Sequence, residues 1–268
     1  MGRLVFAGVL ENCTIVLEPM WAGMGWLCAR MELGRTQWSR RRWEPPIVED
    51  RLWFPDASLA GDDGLVATGG DLSVPRLVLA YRSGLFPWTE RPVTWWSPNP
   101  RTIIEREGLH VSRSLKKFLA REPFTITVDR AFPEVIAACA TEHGPVRRGW
   151  ITPGFIAAYT ALHRAGHAHS VECWEEGELV GGIYGVTVGG LFAGESMFHR
   201  ASNASKVALV KLVAHLRARG CRLFDIQMTT PVTRQMGAVE IPRAEYLRRL
   251  KVAMEVADGW FDSVGDGK

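Results

Sequence analysis

Two short stretches of this 268-residue chain carry the side chains best suited to chemistry. Gly194-Glu195-Ser196-Met197-Phe198-His199-Arg200 sets a carboxylate, a hydroxyl and a thioether at the end of an apolar run. Asn203-Ala204-Ser205-Lys206 follows it as a helix start. Leu223-Phe224-Asp225-Ile226-Gln227 then places a second carboxylate and an amide two residues apart, on one face of a strand. Polar groups are costly to bury alone, so groups in such apolar company have either a partner or a task. The pairing points to a specific chemistry rather than to a generic enzyme.

The elements that must position these groups alternate along the chain. Gly69-Gly70 breaks the chain, and Ser73 and Pro75 predict a capped helix start that Gly84 ends. Phe86-Pro87-Trp88 and Trp95-Trp96-Ser97-Pro98-Asn99-Pro100 read as Pro-broken loops, with a domain boundary near Pro100. Beyond it come a helix over 114–121, a strand over 124–128, a helix over 133–140, and a helix opened by Thr152-Pro153 and closed by Gly166. A meander of strands runs from His169 to Phe198, turned at Glu176-Gly177 and Gly189-Gly190. Asn203 caps the next helix, Leu223 to Met228 forms a strand, and Pro242 to about Val256 a last helix. This mixture predicts an α/β (α+β) fold. The domain plan is an N-terminal extension (1–45), a small domain (46–100), a main domain (101–260) and a short tail (261–268). The first thirty residues are only vaguely signal-like, because Glu11 and Glu18 interrupt the apolar stretch.

Composition narrows the function. Hydrophobic residues at 47% and charged residues at 23% suit a globular protein with a sizeable core. A net charge of +3 requires any nucleic-acid binding to come from local clusters. Five scattered cysteines without CxxC spacing argue against a structural zinc site or a disulfide framework, and for a reduced, cytoplasmic setting. No run of eighteen apolar residues predicts a membrane span. Arg113, Lys116, Lys117 and Arg121 make a basic helix face, either a solvated surface or a phosphate-backbone contact. Arg40-Arg41-Arg42 between Trp38 and Trp43 could add to it. His163, His167 and His169 tempt a metal assignment, but Gly166 breaks the i,i+4 geometry, and structural histidines are expected. Arg234-Gln235-Met236-Gly237-Ala238 fails as an acetyl-CoA pyrophosphate loop because Val239 stands where a small residue is wanted, and P-loop, dinucleotide and GxSxG fingerprints are absent. Leu209, Leu212 and Leu216 form a helical stripe that is either core or a pocket wall.

Read together, the motifs resemble the leucyl/phenylalanyl-tRNA–protein transferases. Gly69-Gly70-Asp71-Leu72, Trp95-Trp96-Ser97-Pro98, Trp150-Ile151-Thr152, Gly181-Gly182-Ile183-Tyr184-Gly185-Val186, Gly194-Glu195-Ser196-Met197-Phe198 and Glu240-Ile241-Pro242-Arg243 occur in family order across residues 53–256. The resemblance implies a small N-terminal domain followed by a GNAT-like (acyl-CoA N-acyltransferase-like) mixed-sheet domain that has given up acetyl-CoA. It implies transfer of Leu, Phe and less readily Met from aminoacyl-tRNA to proteins beginning with Arg or Lys, creating a degradation signal. The acceptor's α-amino group attacks an already activated ester, so positioning and one proton acceptor supply much of the rate.

Residue by residue, the resemblance makes Asp225 and Gln227 the catalytic pair. Gln227 orients the attacking amine, and Asp225 polarises Gln227. Glu195 holds either a cationic amine or Gln227 itself. Ile183, Phe192, Met197, Leu209, Leu212, Leu216 and Phe224 line the aminoacyl pocket. Tyr81, Trp88, Trp150 and Tyr159 lie near the terminal adenosine. The basic face Arg113, Lys116, Lys117 and Arg121 becomes a tRNA contact. No metal or cofactor is implied, and a monomer is expected. One departure stands out: Thr230 and Val232 replace an Asn and a His that commonly follow the catalytic Gln. The competing readings are a tRNA-dependent enzyme with a cell-wall precursor as acceptor, and a non-catalytic tRNA-binding protein.

Overall fold

The computed structural model describes residues 45–49, 51–141, 150–259 and 261. The N-terminal extension, the Trp38–Trp43 arginine run and most of the tail lie outside them. Pro45–Lys268 forms one compact unit. Its first part is a three-stranded antiparallel sheet of β1 (Leu65–Thr68), β2 (Phe86–Glu90) and β3 (Val93–Trp96), in the order β1-β3-β2. Helix α1 (Val74–Arg82) lies between β1 and β2 in sequence. The expected Pro-broken loops are therefore partly strands. Pro87 is tolerated because β2 is an edge strand, where a missing N–H leaves no ladder position unfilled. Trp95, fully buried, ties β3 inward by donating from Nε1 to the Gly69 carbonyl at 2.9 Å.

The larger sheet has seven strands. They are β4 (Arg101–Ile104), β5 (Thr125–Val128), β6 (Ala168–Glu175), β7 (Glu178–Val188), β8 (Leu191–His199), β9 (Leu223–Gln227) and β10 (Ala238–Ile241). Their order is β10-β4-β9-β8-β7-β6-β5. Every neighbouring pair is antiparallel except β8 and β9, which run parallel around the crossover helix α5 (Ala204–Ala218). The meander and the helix-plus-strand that follows it are as expected, with turns at the anticipated glycines. The expected strand over 223–228 is β9; the sequence reading did not anticipate β4 and β10, which extend the sheet on that side.

Around the sheet lie α2 (Arg113–Leu119), α3 (Phe132–Thr141), α4 (Pro153–Arg164), the short α6 (Pro231–Gln235) and α7 (Arg243–Ala253). Caps explain some starts and not others. Thr152 accepts from the Phe155 N–H at 3.3 Å, with Pro153 opening α4 as expected. Asn203 precedes α5 but makes no side-chain cap; it sits in the left-handed region at φ +64. Ser73 likewise makes no side-chain cap, and its own N–H donates to Asp71 Oδ1 at 2.8 Å.

Two apolar clusters sandwich the sheet. One gathers Tyr81, Tyr159, Tyr184, Ala193, Leu223 and Tyr246, against α1, α3, α4 and α7. The other gathers Ile183, Phe192 and Phe224 under the α5 residues Leu209, Leu212 and Leu216. Successive strand residues point to opposite faces, so alternate positions of β8 and β9 feed alternate clusters. Helix α5 approaches β7 so closely that a Cβ at Gly181 would collide with Ala204, which is why that position needs glycine.

Candidate active site

Strands β8 and β9 pair only from Leu191–Leu223 to Ala193–Asp225. Beyond that point β8 continues against β7 alone and β9 against β4 alone, so the two strands part. Where they part, Tyr184 pairs with Ser196 and Gly185 with Gly194, leaving Glu195 as the extra residue of a bulge. Bulges re-aim side chains, and this one turns Glu195 onto the tyrosine-lined face. Across the gap, Gln227 Nε2 donates to Glu195 Oε1 at 2.8 Å.

Gln227 is held by more than this bond. It adopts φ +56, an uncommon conformation for a residue with a Cβ. A three-residue turn, with Met228 N–H donating to Ile226 O at 2.6 Å, wraps around it. Its backbone N–H donates to Asp225 Oδ1 at 2.9 Å. A strained residue so thoroughly fixed is the kind found at functional sites.

Glu195 takes two further donors. Tyr81 donates to its Oε1 at 2.8 Å and Tyr159 to its Oε2 at a longer 3.5 Å, and the two phenol oxygens lie 2.5 Å apart. Burial raises the Glu195 carboxyl to about 8, with the Asp225 charge adding to the rise; the Tyr81 hydrogen bond, Arg101 and the Gln227 amide oppose it. Burial, reinforced by Glu195, also keeps Tyr81 and Tyr159 protonated far above the ordinary tyrosine range.

Asp225 is placed differently from the expectation that it polarises Gln227. It is fully buried, and its carboxylate does not meet the Gln227 side chain. Instead it forms a two-pronged pair with Arg101, Nε to Oδ1 at 2.9 Å and Nη2 to Oδ2 at 2.6 Å. The Tyr246 hydroxyl donates to Oδ2 at 3.0 Å. Burial disfavours the Arg101 charge, but Asp225, Tyr246 and Glu195 together outweigh it and hold the guanidinium protonated. The sequence reading missed both Arg101 and Tyr246. One available signal was a charged residue heading the apolar run Arg101-Thr102-Ile103-Ile104. Another was that the chain has only four tyrosines, all of which prove to be buried on this one face.

The other expected residues fall into groups. Ile183, Phe192, Leu209, Leu212, Leu216 and Phe224 are brought together in one buried cluster, with Met197 packed against it. Phe192 and Phe224 meet edge to face at 5.6 Å. This cluster lies across the sheet from the tyrosines. Trp88 and Trp150 are partly exposed. Tyr81 and Tyr159 are not surface platforms: they are buried, with their hydroxyls directed at Glu195, so their rings present no open face for a base. Arg113, Lys116 and Lys117 are exposed on α2, but α2 ends at Leu119, so Arg121 lies beyond the helix rather than one turn further along it. Thr230 caps α6 in a reciprocal arrangement with Thr233, which commits its hydroxyl there rather than to Gln227.

His163 and His167 meet backbone carbonyls at 2.7 and 3.3 Å, and His169 meets Asp129 at 2.7 Å. Among the described residues no group of three or more His, Cys, Asp and Glu side chains is gathered to hold a metal. No helix among them is long and apolar enough to cross a membrane.

A mixed sheet with one parted parallel pair, bridged by a carboxylate and an amide beside an apolar cluster, makes up the candidate site. Comparison with known proteins gives the particular family. Residues 103–251 match the model of the leucyl/phenylalanyl-tRNA protein transferases, and residues 70–99 match that of their N-terminal domain. The chain is 50% identical over 212 residues to the leucyl/phenylalanyl-tRNA–protein transferase of Pseudoalteromonas atlantica, covering 78% of this chain and 91% of that one. It is 52% identical over 210 residues to that of Syntrophobacter fumaroxidans, covering 76% and 88%. The chain belongs to the leucyl/phenylalanyl-tRNA–protein transferase family, and it is an enzyme. Among solved structures, L-PGS from Bacillus licheniformis is 12% identical with a TM-score of 0.32, covering 57% of this chain and 50% of that one. An aminoglycoside acetyltransferase from a soil metagenome is 14% identical with a TM-score of 0.31, covering 41% and 83%.

Proposed function

We propose that this enzyme moves Leu or Phe, and Met less readily, from aminoacyl-tRNA to the α-amino group of proteins that begin with Arg or Lys, marking them for degradation. The observation that carries the reading is the Glu195–Gln227 bridge at the parting of β8 and β9, in a chain of this family. Gln227 orients the incoming amine and Glu195 holds Gln227 in place. The side chain of the transferred residue reaches the cluster of Ile183, Phe192, Met197, Leu209, Leu212, Leu216 and Phe224. Burying a Leu or Phe side chain there supplies about 2 kcal/mol of selection over small residues.

Trp88 and Trp150, the partly exposed aromatics, are the ones suited to the terminal adenosine. Arg113, Lys116, Lys117 and Arg121, all exposed, contact the tRNA backbone. The reaction is aminolysis of an ester and proceeds without metal or cofactor, by a monomer in the cytoplasm. Incubation with Phe-tRNA and an Arg-initiated peptide should yield the Phe-Arg-peptide. No product, beside a control transferase active on the same charged tRNA, refutes the reading. A panel containing a cell-wall precursor as acceptor separates the competing enzyme class.

A further inference from the structure

Arg101 is 1% exposed and Asp225 is not exposed at all, so their pairing is an interior one. An ionised carboxylate offers about four lone-pair sites. At Asp225 four donors occupy them: Arg101 Nε and the Gln227 N–H on Oδ1, Arg101 Nη2 and the Tyr246 hydroxyl on Oδ2. A carboxylate so filled cannot polarise the Gln227 amide or accept a substrate proton without first losing a partner. What it can do is hold the Gln227 backbone where the side chain must point.

Arg101 is itself held on every side. Its guanidinium lies over the Phe86 ring at 4.9 Å and over the Tyr246 ring at 4.3 Å. Its Nη1 donates to the Gly84 carbonyl at 3.2 Å, and its Nη2 also reaches the Tyr246 hydroxyl at 3.3 Å. One residue further along β4, Thr102 pairs with Gln227. The chain of contacts therefore runs Gly84 and Phe86, Arg101, Asp225, Gln227 backbone, Gln227 amide, Glu195.

We propose that Arg101 is a positioning residue of the transfer reaction: its guanidinium locks Asp225, and Asp225 fixes the backbone turn that aims the Gln227 amide. The proposal rests on the family reading for the reaction and on the geometry for the linkage. Lysine keeps the charge but cannot supply two parallel N–H donors in a fixed plane, so Arg101→Lys should leave Asp225 paired yet free to rotate.

The test uses the full chain and three readouts: single-turnover transfer from Phe-tRNA to an Arg-initiated peptide, the melting temperature, and, in a chain isotope-labelled only at glutamine, the nitrogen NMR shifts of the Gln227 backbone and side-chain amides, assigned by their loss in Gln227→Ala. Arg101→Lys should lower the transfer rate about 100-fold, as a displacement of about 1 Å at a reacting group does. The KM for charged tRNA should stay near that of the wild type, and the Gln227 resonances should move. Should that variant not fold, Arg101→Met combined with Asp225→Leu replaces the pair with apolar groups. It should fold and still fail to transfer, with the Gln227 resonances shifted. Wild-type transfer rates in either folded variant overturn the proposal. So does a rate that falls only in step with stability while the Gln227 resonances stay put. If the wild type itself transfers nothing, the reaction assignment fails instead, and the NMR shifts still decide the linkage.

Discussion

Glu195 and Gln227 stand on strands that have ceased to pair, and a 2.8 Å hydrogen bond between their side chains spans the gap that the backbone leaves open. The substrate carbonyl and the attacking amine must meet at this gap if the site works as proposed. Each side of the bridge is built differently: a bulge presents Glu195, and a left-handed residue presents Gln227.

The left-handed geometry of Gln227 gives a prediction that separates stability from activity. A residue with a Cβ is disfavoured there by roughly 1–2 kcal/mol, whereas glycine is not. Gln227→Ala and Gln227→Gly both delete the amide and should both abolish transfer. In urea unfolding the glycine variant should be the more stable of the two by about 1 kcal/mol. Equal stabilities would mean that the turn is unstrained.

Glu195 makes stability depend on pH. Its carboxyl is raised from the ordinary 4.5 to about 8, chiefly by burial. Between those values the folded protein keeps a proton that the unfolded chain has released. Stability therefore falls as pH rises from 4.5 towards 8, and the contribution is fully present only below the lower value. In Glu195→Gln that slope should vanish, so its melting temperature should gain on the wild type steadily over this window. Parallel melting profiles would show that Glu195 titrates normally.

Breaking the buried pair from one side should be costly. Arg101→Ala strands an interior carboxylate and should destabilise by roughly 3–5 kcal/mol, more than the paired apolar replacement does. Denaturant midpoints of the single and double variants check this directly.

Leu212 is 1% exposed within the apolar cluster. Leu212→Ala should destabilise by about 2–5 kcal/mol through the cavity it leaves. The same space should raise transfer of Phe relative to Leu. An unchanged Phe-to-Leu ratio in competition assays would place the aminoacyl side chain elsewhere.

For the basic face, Lys117→Ala should weaken binding of tRNA irrespective of its sequence and reduce the salt slope by about 1. Arg121 lies past the end of α2, so Arg121→Ala serves as a comparison within the same patch. A salt slope unaltered by either change would assign this face to solvent.

Much of the larger sheet was legible because its signals are local. Glu176-Gly177 and Gly189-Gly190 turn the meander where turn chemistry says they should, and Thr152-Pro153 opens α4 as its cap predicts. The strand β2 was not legible, because proline reads as a breaker until one knows that its strand lies on an edge, and the central β3 was hidden by the prolines at 92 and 98 that flank it. Asp225, Gln227 and Glu195 stood out as polar residues in apolar runs. Arg101 did not, since its partner lies 124 positions away and nothing near it in sequence announces the pairing. The same distance effect hid the burial of Tyr81, whose hydroxyl meets a carboxylate 114 positions later.

The grip on Arg101 has a consequence for how the protein could be divided. A fragment beginning at Arg101 would retain Glu195, Asp225 and Gln227, yet it would lack the Gly84 carbonyl and Phe86 ring that steady the guanidinium, and the Tyr81 phenol that meets Glu195. The smaller sheet is thus not an appendage that could be trimmed away. Part of the scaffolding of the candidate site is encoded before residue 100, and neither portion alone carries a complete one.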